Sequence, residues 1–154
     1  MPVVYYIAPG SGKAVKAADG ITNPNGVQLS PDEKTLYVND TRGDYLIAMD
    51  VRPDGTLAPK RNFAKYEGVE NTATGPVSGA DGLAVDSNGR VYAATATGVQ
   101  VFSPKGEHLG TIPVSRNPNN LAFAGPDRKT LFIVARGAVY KVPMLAEGYK
   151  GRAK

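Results

Sequence analysis

Cysteine is absent from this 154-residue chain. That removes disulfides, thiolate nucleophiles and cysteine-based zinc or iron–sulfur sites. Histidine occurs once, at His108. It falls on a stretch that reads as an outer strand, so a Ser-His-Asp triad, whose base must meet its nucleophile, has no place to form. No apolar run approaches the ~20 residues of a membrane helix. The opening stretch Met1-Pro2-Val3-Val4-Tyr5-Tyr6-Ile7 lacks the basic n-region and the apolar length of a signal peptide and reads as a strand. No segment carries a helical stripe. The net charge is only +4, and no basic-aromatic groove pattern accompanies Tyr5, Tyr6, Tyr37, Tyr45 or Tyr92, which read as packing between sheets. Neither nucleic acid nor membrane is therefore expected as a partner. The basic cluster Lys150, Arg152 and Lys154 reads as a solvated terminus. The compartment stays open. The sequence as it stands reads as cytoplasmic, and a longer parent with a leader would be exported.

The chain is rich in turn formers, with 18 glycines and 12 prolines, and in period-2 alternation. One phrase recurs three times: Pro24-Asn25-Gly26-Val27-Gln28-Leu29, Ala80-Asp81-Gly82-Leu83-Ala84-Val85 and Pro118-Asn119-Asn120-Leu121-Ala122-Phe123. Each time a polar residue precedes a small or turn-forming one and a short apolar run. A turn and a second run follow, at Thr35–Val38, Arg90–Ala93 and Thr130–Ile133. Repeated all-β units of this kind stack side by side or around an axis, which gathers equivalent residues in one place. The spacing predicts two complete four-stranded units, about Asn25–Tyr66 and Asp81–Pro113, and a three-stranded unit from Asn119 to about Met144. Ahead of them stand two strands, Val3–Ala8 and Ala14–Ala18, that look like the outer half of another unit. Glu67–Gly79 reads as a surface loop. Gly10-Ser11-Gly12-Lys13 hints at a phosphate loop but lacks the earlier glycine and the following Ser or Thr, so it reads as a hairpin turn. The fold class is all-β, a propeller of about three blades over residues 1–146, with a basic tail at 147–154.

Several phrases together resemble the SMP-30/gluconolactonase/LRE-like family. They are Asn23-Pro24-Asn25-Gly26, Leu29-Ser30-Pro31-Asp32, Leu36-Tyr37-Val38, Ala80-Asp81-Gly82-Leu83-Ala84-Val85-Asp86, Gly98-Val99-Gln100-Val101-Phe102, Leu109-Gly110-Thr111-Ile112-Pro113 and Asn120-Leu121-Ala122-Phe123 with Gly125-Pro126-Asp127. The resemblance implies a six-bladed propeller about twice this length, of which the chain looks like the C-terminal half. It implies a metal-dependent lactonase acting on sugar lactones, with calcium, or else zinc or magnesium, held in the central channel by a Glu, an Asn and an Asp. The Asn carries over to Asn25 and the Asp to Asp81. The Glu, and the Arg and Asn that contact substrate, have no counterpart in this sequence. Asn119 stands where the family commonly has Thr and reads as channel-lining.

Carboxylate and amide oxygens are hard donors that suit calcium or magnesium. Asp81 is also placed to take a proton from an attacking water. Two readings follow. One is a metal-dependent lactonase, here as a fragment with an incomplete metal site, in which two copies close the ring as a homodimer. The other is a non-catalytic propeller-like binding module, or a truncated product without independent activity.

Overall fold

The computed structural model describes residues 2–151. Its strands are β1 (Val4–Ile7), β2 (Ala14–Ala18), β3 (Pro24–Leu29), β4 (Thr35–Asp40), β5 (Tyr45–Asp50), β6 (Arg61–Lys65), β7 (Glu70–Thr72), β8 (Gly75–Val77), β9 (Leu83–Val85), β10 (Val91–Thr95), β11 (Gly98–Phe102), β12 (His108–Ile112), β13 (Pro118–Ala124), β14 (Thr130–Ala135) and β15 (Ala138–Pro143). The described residues contain no helix. Every sheet pairs strands in sequence order: β1-β2, β3-β4-β5-β6, β7-β8, β9-β10-β11-β12 and β13-β14-β15. All pairs are antiparallel. These are the expected blades, with turns at Pro31-Asp32, Pro53-Asp54, Asn88, Pro104-Lys105 and Pro126-Asp127. Met1, and Arg152 and Lys154 of the basic cluster, lie outside the described residues. Before that point the chain is tied in: Ser87 N–H donates to the Glu147 carbonyl, Gly148 N–H donates to the Arg128 carbonyl, and Lys150 pairs with Glu147.

The core lies between sheets. Tyr37, Leu46, Ala48, Ala64 and Tyr66 of the β3–β6 blade meet Leu83, Val85, Val91, Ala93 and Phe102 of the β9–β12 blade. The opposite face of that second blade, with Ala84, Tyr92, Ala94 and Val99, meets Leu121, Phe123, Leu131 and Ile133 of the third. Alternation along each strand thus fills both faces of the middle blade, because both are buried. Aromatic edges stitch the layers: Tyr66 against Phe102 at 6.2 Å and Tyr92 against Phe123 at 5.1 Å between centroids. A smaller cluster of Ile21, Val38, Ile47 and Met49 packs with Val4 and Ala18 under the β1–β2 pair.

Three sequence expectations need correction. The segment Glu67–Gly79 is not only loop, since it holds the β7–β8 hairpin. It lacks apolar alternation because its tip is held by polar contacts: Thr72 Oγ1 donates to the Gly75 carbonyl at 2.8 Å. Tyr5 and Tyr6 do not pack between blades but face solvent, whereas Tyr37 and Tyr92 are buried. Tyr5 and Tyr6 point to opposite faces of the two-stranded β1–β2 sheet, which is too narrow for either face to be covered there. Finally, β3 and β13 begin at the prolines, so the polar residues Asn25 and Asn119 lie inside their strands.

Candidate functional site

The repeated phrase is a β-bulge in all three blades. Pro24 pairs with Asp40 but Val27 pairs with Val38, so β3 carries one extra residue around Asn25-Gly26. Pro118 pairs with Ala135 and Asn120 with Val134, which makes Asn119 the extra residue of β13. In the middle blade Asp81 N–H donates to the Ala94 carbonyl and Ala94 N–H donates to the Gly82 carbonyl, so two residues again oppose one. A bulge re-aims a side chain out of the regular pleat. The polar residue of each phrase is the one re-aimed.

Neighbouring bulges touch. Gly26 N–H donates to the Asp81 carbonyl at 3.0 Å, and Gly82 N–H donates to the Asn119 carbonyl at 2.8 Å. This close passage explains the glycines. A Cβ on Gly26 would lie 2.2 Å from the Asp81 carbonyl oxygen and 2.9 Å from the Gly82 Cα. The site is therefore a row of innermost strand starts, held edge to edge by main-chain bonds that only a glycine permits.

Asp81 is the most heavily supported member. Its carbonyl also accepts from Asn39 Nδ2 at 2.7 Å, and its carboxylate Oδ2 accepts from Asn119 Nδ2 at 3.0 Å. Asn39 is fully buried, bonds the Gly82 carbonyl as well, and accepts from the Tyr66 hydroxyl at 2.9 Å. Burial pushes the Tyr66 phenol strongly up, so this hydroxyl stays a donor at any ordinary pH. Asn25 is exposed, and its Nδ2 meets Thr41 Oγ1 at 3.3 Å. Thr41 Oγ1 in turn donates to the Ala80 carbonyl at 2.7 Å. The structure thus brings Asp81 and Asn119 into direct contact, and links Asn25 through Thr41 to the residue before Asp81.

Sequence reading missed Asn39, Thr41 and Tyr66. The one available signal was Asn39 itself, an amide directly after the run Leu36-Tyr37-Val38 inside β4. His108 sits exposed on β12, bonded to Thr111. Among the described residues no cluster of three or more His, Asp or Glu side chains is gathered for a metal ion. The oxygen donors at the bulges are one carboxylate and amide groups. They fit a hard cation in kind and supply few of the ~6–8 oxygens calcium takes.

The chain matches the SMP-30/Gluconolactonase/LRE-like region over residues 2–137. It is 33% identical over 148 residues to a gluconolactonase of Zymomonas mobilis, covering 90% of this chain and 39% of that protein. It is 28% identical over 153 residues to lactonohydrolase oryL of Aspergillus oryzae, covering 90% and 35%. A solved gluconolactonase from Xanthomonas campestris is similar with a TM-score of 0.78 at 33% identity, over 92% of this chain and 44% of that one. The calcium-binding protein regucalcin from Agrobacterium tumefaciens has the same fold, with a TM-score of 0.80 at 23% identity, over 96% and 56%. The chain therefore spans about two-fifths of these curated relatives and about half of these solved structures. Its sheets are the blades of a partial β-propeller. The family match runs through all three bulges and stops just before β15, and the chain belongs to the SMP-30/gluconolactonase/LRE-like family.

Proposed function

We propose that the bulge row serves the hydrolysis of a small sugar lactone, with Asp81 and Asn25 holding a divalent cation, calcium in the first instance. The carrying observation is Asp81 itself, whose carbonyl takes the Gly26 N–H of the first bulge and whose carboxylate takes the Asn119 amide of the third. The names of the gluconolactonase and lactonohydrolase relatives support the substrate class. A bound cation would supply Lewis-acid polarisation of the lactone carbonyl. Asp81 accepts a proton from water as the water oxygen bonds to the carbonyl carbon. The ring C–O bond breaks, the ring oxygen takes up a proton, and a hydroxy acid leaves. Asn25 contributes a neutral oxygen and so adds no charge that would repel the carboxylate product.

Gluconolactone opening, followed by proton release with and without calcium, tests this reading. The expected result is a calcium-dependent rate above the spontaneous one, lowered about 10²–10⁴-fold by Asp81→Ala. Equal rates for the two proteins, with unchanged melting temperatures, would leave the chain a non-catalytic binding module. The small donor count favours that second reading.

The end blades bear on assembly. Tyr37, Tyr92 and Phe132 occupy the same place in successive units. Tyr37 and Tyr92 are 5% and 3% exposed under the next blade, whereas Phe132 is 36% exposed and shares its face with exposed Val134 and Val139. That face continues the interface the chain already uses twice. Because the chain matches about half of each solved relative, a second copy of the chain is the occupant we propose. The contact is head-to-tail and closes after two copies. Sedimentation should show a dimer that Phe132→Lys with Val139→Lys converts to monomer; a monomeric parent protein at tens of micromolar would refute it.

A further inference from the structure

The bulge row contains a feature that neither the repeat nor the family match assigns. Both donor side chains have one end already tied off. A threonine hydroxyl carries a single proton, and a carbonyl oxygen can only accept. Thr41 Oγ1 lies 2.7 Å from the Ala80 carbonyl, so its proton is committed there. Toward Asn25, 3.3 Å away, the same oxygen can then only accept. The end of Asn25 facing Thr41 must be its NH2, which leaves Oδ1 as the open end. Amide orientation is ordinarily an assignment; here the hydrogen-bond order decides it. On the other side, Asn119 Nδ2 donates to Asp81 Oδ2 at 3.0 Å. That contact leaves Asp81 Oδ1 as the carboxylate oxygen without an Asn119 contact.

Thr41 is itself a fixed post. Its N–H donates to the Asn23 carbonyl, and its carbonyl accepts from Ser78 N and Gly79 N. The preceding carboxylate of Asp40 gathers the N–H groups of Thr22, Asn23 and Arg42. Asn119 is fixed through its carbonyl, which takes the Gly82 N–H. In the proposed chemistry neither residue is given a contact with the cation, the water or the lactone; each acts through Asn25 or Asp81.

We propose that Thr41 and Asn119 are the positioning residues of this site, holding Asn25 and Asp81 so that one oxygen of each, Oδ1, is turned to a cation. The inference rests on the lactonase reading above for the identity of the cation, and on hydrogen-bond order alone for the orientation. Such outer partners typically set metal affinity by about 10–100-fold.

Two measurements on the whole chain test it. The first is calcium titration by calorimetry of the wild-type chain, Thr41→Val, Thr41→Ser and Asn119→Ala. Thr41→Val keeps the branched shape and deletes the hydroxyl, and Thr41→Ser keeps the hydroxyl. Thr41→Val and Asn119→Ala should each weaken binding about tenfold or more, and Thr41→Ser should bind like wild type. Equal affinity across all four would overturn the inference. The second is the side-chain amide NMR signal of Asn25 without metal, which should shift in Thr41→Val and not in Thr41→Ser. An unmoved signal in Thr41→Val also overturns it. A wild-type chain that binds no calcium would defeat the lactonase reading instead, and the amide signal would still decide the role of Thr41.

Discussion

Gly26→Ala is expected to destabilise the chain by about 3 kcal/mol or more, near the upper end for overpacking a closed contact. The added methyl carbon would stand 2.2 Å from the Asp81 carbonyl oxygen, with the Gly82 Cα and carbonyl carbon at 2.9 and 3.1 Å. All three are main-chain atoms, so no side chain can swing aside. The only relief is to part the two innermost strands, which breaks the 3.0 Å bond from Gly26 N–H to Asp81. Gly55→Ala is the matched comparison. Gly55 has φ +81°, and a methyl group added there would have nothing within 4 Å, so its cost should be that of a left-handed residue alone, about 1 kcal/mol. Urea unfolding of both variants separates crowding from backbone strain. A Gly26→Ala chain no less stable than Gly55→Ala would mean that the blades are not held at this distance. Because Asp81 moves with the break, weaker calcium binding is also expected in the same variant under the proposed function.

The second large effect belongs to Asp86, at the far end of β9. Its fully buried carboxylate accepts from Asn88 N and Arg90 N at 2.9 Å each, from Arg90 Nε at 2.6 Å and from the Tyr92 hydroxyl at 3.1 Å. Asp86→Ala should cost about 3–5 kcal/mol, since it leaves these donors without their acceptor under the middle blade. The same contact has a pH signature. Burial first, and the Asp86 carboxylate second, push the Tyr92 phenol up from 10.0 to about 12. The folded value lies above the unfolded one, so the stabilisation is fully present below pH 10.0 and is lost as pH rises toward about 12. Thermal melts across that range should show the loss, and Tyr92→Phe should make it shallower without abolishing it, because the buried Tyr66 phenol is raised as well. A wild-type curve level through the window would contradict the buried phenol.

The strands and their grouping were readable because alternation and turn chemistry repeat from blade to blade. Asn25, Asp81 and Asn119 were readable for the same reason. That they lie on bulges was not, because a bulge shows only when a strand is laid against its partner. Asn39, Thr41 and Tyr66 were hidden by the repetition itself. Asn39 stands where the other units have Ala94 and Val134, and Thr41 where they have Ala96 and Arg136. Each is a single departure whose partner lies dozens of residues away, such as the Asp81 carbonyl for Asn39. The β7–β8 hairpin escaped because it is held by threonine side chains instead of an apolar stripe.

Every sheet pairs its strands in the order in which they follow along the chain. A ribosome making this protein would therefore never hold one strand waiting for a distant mate. Each sheet can complete its own pairing within a few dozen residues of leaving the exit tunnel, and only the face-to-face seams between finished sheets must form later.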